Sequence, residues 1–177
     1  MKLLILIGLL LALPATSPTE EVIYWDQDRK LSWDDFKGTP HGPEDFVAST
    51  NSGVAFSYSY GERNGRARIE YEVTANFYPL RSWYRAEVVD SYILSHEQTH
   101  FDITELFARI LRQRLSEVPK DVHFKEAADA IYQQTEAERR EMQESYDLQS
   151  DHSNHKSIEY QWQALVLLKL QEYDAWR

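Results

Sequence analysis

His96-Glu97-Gln98-Thr99-His100 is the stretch of this chain whose residue types and spacing could do chemistry. On a helix, HExxH places two imidazoles at i and i+4, one turn apart on one face, where both ring nitrogens reach a single zinc ion (Zn2+). The glutamate after the first histidine can then orient and deprotonate a zinc-bound water. A catalytic zinc takes three protein ligands and keeps one position open, so a third ligand must come from elsewhere. The bland alternative is a pair of partly buried histidines satisfied by hydrogen bonds, with Glu97 at the surface. Burying two such imidazoles without partners is costly, which favours the metal reading.

The helix that carries them reads from about Ser82 to Glu117. Its apolar positions are Val89, Tyr92, Ile93, Ile103, Phe107, Ile110 and Leu111, at spacings of three and four. His96 and His100 fill the gap between Ile93 and Ile103 and therefore face the core. Asp90, Gln98, Asp102, Glu105 and Arg109 fall largely off that stripe.

Pro119 ends this helix, and Asp121 is suited to cap a second one over roughly 122–147. The stripe of the second helix is thin: Ala128, Ile131, Met142 and Tyr146, with Thr135 and Glu138 on the same face. A loop from Gln149 to Lys156 carries Asp151, His152, Asn154 and His155. Ser157 can cap a final helix containing Trp162, Leu165, Val166, Leu168 and Leu170. Glu138 has a geometric claim to the metal. If the first two helices run antiparallel, a rise of about 1.5 Å per residue brings positions 138–142 level with HExxH. His152 competes with it, its loop free to fold back over the site, and zinc prefers histidine. His155 has only its proximity to His152, and His123 sits at the distal turn, too far to reach.

The half before the helices is β-rich. Val54, Phe56, Tyr58 and Tyr60 alternate with serines, and Ile69, Tyr71, Val73, Ala75 and Phe77 alternate with polar residues. Asn64-Gly65 between them is a hairpin signal. Leu31 to Phe36 reads as a short strand or turn leading into a loop. A small antiparallel sheet followed by three helices, the first bearing HExxH, is an α+β arrangement.

Composition bounds the rest. Met1-Lys2, the apolar run Leu3–Leu13 and the small residues Ala15-Thr16-Ser17 describe a cleavable signal peptide over 1–17, too short to span a membrane, which needs about twenty residues. The expectation is a secreted or periplasmic protein without a stable membrane anchor, its remaining residues (18–177) forming a single domain. The chain has no cysteine, so lipid attachment at a cleavage cysteine, disulfides and thiolate ligands are all excluded. A formal charge of −10 argues against nucleic acid as a partner. Oligomeric state is not encoded legibly.

Three segments carry a resemblance. Trp33-Asp34-Asp35-Phe36, His96 to Asp102, and Tyr146-Asp147-Leu148-Gln149-Ser150-Asp151-His152 resemble the motifs of the bacterial predicted secreted zinc-dependent proteases, a family long catalogued as a domain of unknown function. Its last motif runs Tyr-Asp-x-x-Thr-x-His; Ser150 stands here for the usual threonine, and Ser153 where glycine is common. The resemblance implies His152 as third zinc ligand and aligns Tyr146 as a hydrogen-bond donor to the oxyanion of the reaction. Asp102 and Asp147 become candidates to orient the histidines. The expected activity is a zinc metallopeptidase acting on a peptide or protein, with Glu97 as general base. Two alternatives stand beside it: a zinc amidase of cell-wall peptides, and a non-catalytic zinc-stabilised binding protein. The retention of Glu97 weighs against the second, because a structural zinc has no use for a base.

Overall fold

The computed structural model describes residues 20–63 and 66–177. The signal-peptide segment and the Asn64-Gly65 turn lie outside the described residues. Strands β1 (Ile23–Tyr24), β3 (Ser52–Arg63) and β4 (Arg66–Phe77) form one antiparallel sheet in the order β1-β4-β3. A separate ribbon pairs β2 (Ala48–Ser49) with β5 (Trp83–Tyr84). Helices α1 (Ser91–Ser116), α2 (Phe124–Ser150) and α3 (Lys156–Glu172) follow, giving the α+β arrangement.

The register of β3 against β4 sets Val54 opposite Ala75 and Phe56 opposite Val73. The period-two alternation therefore collects the apolar side chains on one face. Val54, Ile69, Val73, Ala75 and Phe77 are buried there beneath α1. Phe77 meets Phe101 of α1 at 5.7 Å between ring centroids, and Arg112 donates to the Val73 carbonyl at 2.9 Å. Ile103, Phe107, Leu111 and Leu115 complete this seam.

α1 is shorter at its start than its apolar pattern suggests. Residues 82–90 are not helical, because Trp83 and Tyr84 pair with Ser49 and Ala48 and the Asp90 carboxylate caps the helix, accepting from the Ile93 N–H at 2.9 Å. Glu105 and Arg109, off the expected stripe, are nonetheless buried. α2 and α3 cover the side of α1 that the sheet leaves open, so the helix is enclosed all round. Glu105 accepts from Arg109 Nε at 2.9 Å, and Arg109 Nη1 donates to the Leu170 carbonyl at 2.7 Å.

α2 runs one turn further than expected and ends at Ser150. Asp151, His152 and Ser153 then take the left-handed conformation in succession, with φ of 49°, 48° and 71°. This run reverses the chain within five residues and feeds α3, whose cap position is His155 rather than Ser157. Asp121 serves the start of α2 by accepting from the His123 N–H at 2.8 Å.

Candidate metal centre

α1 presents His96 and His100 one turn apart, as the spacing requires, and α2 packs against that face. The nitrogen His96 Nε2 lies 3.2 Å from His100 Nε2. Asp147 Oδ1, projecting from the last turn of α2, lies 3.3 Å from the first and 3.0 Å from the second. The three residues form a group able to hold a metal ion.

The outer nitrogens decide the chemistry of the inner ones. His96 Nδ1 is 3.0 Å from Glu159 Oε2 of α3, an acceptor, so Nδ1 carries the hydrogen. His100 Nδ1 is bonded to the side-chain oxygen of Gln143. The Gln143 amide orientation is fixed, because its nitrogen donates to the His100 carbonyl at 2.8 Å. In their neutral forms both rings therefore turn an Nε2 lone pair toward Asp147. Three acceptors meeting at this range repel one another unless a positive charge, a proton or a metal ion, stands among them. A tetrahedral zinc with bonds of about 2.0–2.1 Å has ligand atoms about 3.3 Å apart, which these separations fit.

The electrostatics follow. Burial would lower the pKa of His96, but the Asp147 and Glu159 carboxylates outweigh it and raise the value to about 9. Burial pushes Asp147 up, yet the two imidazoles hold it well below the usual carboxylate range. Glu159 is held down in the same way, by hydrogen bonds from His96 and Tyr146 that overcome its burial. Glu97 is 4% exposed, and its Oε2 has no hydrogen-bond partner among the described residues. An orphaned buried carboxylate oxygen is costly unless something arrives to meet it. It lines a cleft of about 340 Å³ together with His96, Phe46, Val47, Ile93 and His152.

Other expected site residues are placed differently. His152 stands at the rim of that cleft with a side chain 57% exposed. Its Nδ1 is 3.9 Å from Asp147 Oδ1, and its ring packs beside Phe46. The third candidate ligand atom grouped with the histidine pair is Asp147 Oδ1 rather than a nitrogen of His152, because the helix continues through 147 and points that carboxylate inward. Glu138 is away from the centre, bonded to Arg114 at 2.7 Å, and this pairing lowers its pKa. Tyr146 is fully buried, stacked on the His96 ring at 4.6 Å, and its hydroxyl donates to Glu159. Asp102 accepts from Trp25 Nε1 at 2.7 Å and Gln98 at 2.8 Å, tying the N-terminal segment to α1 rather than orienting a histidine.

Gln143 and Glu159 are site residues that sequence reasoning passed over. A signal for Glu159 existed. It falls in register with Val166 and Leu170 on the buried stripe of α3, much as the histidines continue the stripe of α1.

A family model described as bacterial protein of unknown function (DUF922) matches residues 28–155, a span that includes His96, Glu97, His100 and Asp147 and stops before Glu159. No curated protein and no solved structure matches the chain.

Proposed function

We propose that this chain, which belongs to the bacterial DUF922 family, is a zinc-dependent hydrolase of the extracytoplasmic space, a metallopeptidase that cleaves a peptide or protein. The observation that carries the reading is the convergence of two imidazole nitrogens and one carboxylate oxygen within 3.3 Å, beside the buried Oε2 of Glu97, which has no partner among the described residues. A zinc ion bound by His96, His100 and Asp147 would supply a Lewis acid and lower the pKa of a coordinated water. Nitrogen and oxygen ligands of this kind suit zinc.

The residues around it have separable tasks. Glu97 takes the proton of the attacking water at Oε2 and later returns it to the leaving nitrogen. Glu159 and Gln143 lock the tautomers, keeping both Nε2 lone pairs turned inward. Tyr146 is a positioning residue: its single hydrogen goes to Glu159 and its ring braces that of His96. The −10 formal charge and the N-terminal run Leu3–Leu13 support export and a substrate other than nucleic acid.

The test pairs metal analysis with hydrolysis. Purified mature protein should carry about one zinc per chain and cleave a mixed peptide pool, with loss on chelation and recovery on adding zinc. Failure to take up zinc overturns the metal site. Stoichiometric zinc without cleavage of any peptide overturns the hydrolase and favours a zinc-stabilised binding protein.

A further inference from the structure

A second cleft, of about 270 Å³, adjoins the metal centre through His100 and Asp147, and the Glu97 side chain does not line it. His100 and Asp147 form its inner wall, and Arg139, Arg140 and Glu144 of α2 lie along it. Thr50 and Ser52 border it, while Phe46, Val47 and Ala48, just before them in the chain, border the first cleft. One segment thus runs past both clefts, and the candidate ligands line them, His96 the first and His100 and Asp147 the second. The two differ in character. The Glu97 side is apolar at Phe46, Val47, Val88 and Ile93, and besides His96 and His152 its ionisable lining residues are the acids Asp45, Glu97 and Asp151. The Asp147 side is lined by polar and charged residues alone and holds two arginines.

The arginines are not equivalent. Glu136 grips Arg139 with both carboxylate oxygens, at 2.8 and 3.0 Å, in a buried pair. Arg140 is 59% exposed, and its ion pair among the described residues is a 3.9 Å approach to the same, already engaged Glu136. Its fork of N–H donors is therefore available to a ligand, and a planar guanidinium suits a carboxylate. Glu144 is the opposing charge in the cleft. A divalent ion held by His96, His100 and Asp147 would leave the cleft net positive even with Glu144 counted.

We infer that Arg140 is a specificity-determining residue, recognising a carboxylate carried by the substrate on the Asp147 side of the bond to be cleaved. The inference rests on the hydrolase reading. Two sources share this chemistry: an Asp or Glu side chain, and a free C-terminal carboxylate.

The experiment measures binding without turnover. Zinc-loaded protein is titrated calorimetrically with short peptidyl hydroxamates, in two series that extend the peptide to either side of the metal-binding group. Each series carries Asp, Asn or Lys, with a free or an amidated terminus. One series alone should prefer the acid, by about ten-fold over its amide. Arg140→Gln should abolish that preference, and Arg140→Glu should turn it toward Lys, with zinc content unchanged. The Asp/Asn and free/amidated arms identify which carboxylate is read. Hydroxamates that bind regardless of charge, or a preference that survives Arg140→Glu, overturn the inference and leave the hydrolase intact. Failure of every hydroxamate to bind the zinc-loaded protein strikes the hydrolase reading itself, and this inference falls with it.

Discussion

His96 Nδ1 and Glu159 Oε2 stand 3.0 Å apart although 63 positions separate them in the chain. The carboxylate is fully buried and also accepts from Tyr146 and from Gln163, so it is a fixed point rather than a passing contact. Glu159→Gln keeps the shape and removes the charge. Zinc affinity should fall by about 10–100-fold, measured by competition against a chromophoric chelator. An unchanged affinity would show that the carboxylate does not tune the histidine.

Glu97→Gln separates binding from chemistry. The variant should retain about one zinc per chain, since Glu97 is not a ligand, and lose hydrolysis by about 10²–10⁴. Metal analysis and a turnover assay on the same preparation check this. Loss of the metal, or full activity, contradicts the role given to Glu97.

The third ligand is decided without any substrate. Asp147→Ala should lose its zinc to a mild chelator, while His152→Ala and Glu138→Ala keep it. Glu138→Ala should show only the loss of a partly exposed ion pair with Arg114, about 1 kcal/mol or less. Zinc retained by Asp147→Ala and lost by His152→Ala would return the ligand to the loop.

Proton and metal compete for the same pocket. The pKa of His96 is raised from 6.5 to about 9, so the metal-free fold gains stability from this proton below about pH 6.5 and loses it as pH rises through about 9. Asp147 is shifted the other way, and its contribution is present above the ordinary carboxylate range and lost in acid. Zinc must displace the His96 proton, so apparent affinity should tighten about ten-fold per pH unit between 7 and 9. Calorimetry in buffers of different ionisation enthalpy counts the released proton. A flat profile would contradict this account.

Ser153 holds φ at 71°, a conformation that glycine adopts without strain. Ser153→Gly should stabilise the protein by about 0.5–1 kcal/mol, the relief at a left-handed position exceeding the added chain entropy. Thermal unfolding would show it, and a lower melting temperature would refute it.

His96, Glu97 and His100 were legible because a helix converts sequence spacing directly into geometry, and the β3–β4 alternation was legible for the same reason. Asp147 was visible only as an orienting residue. Counting back from Pro119 set 138–142 opposite HExxH, whereas the connection occupies 117–123 and Gln143 is the residue that meets His100. That offset of about one turn carries Glu138 away from the histidines, within reach of the long Arg114 side chain, and brings Asp147 inward. Glu159 depended on how α3 docks, and near the start of that helix it resembles an ordinary first-turn acid. The burial of Glu105 and Arg109 was hidden likewise, since a periodic stripe describes one face and cannot say that a helix is covered on all of them.

The three helices each bring something different to the centre: α1 two imidazoles, α2 a carboxylate, α3 the acceptor that sets a tautomer. Glu159 is not a member of the cluster itself, yet its hydrogen bond decides which nitrogen of His96 faces that cluster. Without α3 docked, the His96 ring would be free to turn over and offer its other nitrogen. The helix that contributes no atom to the centre is thus the one that sets the orientation of its first imidazole.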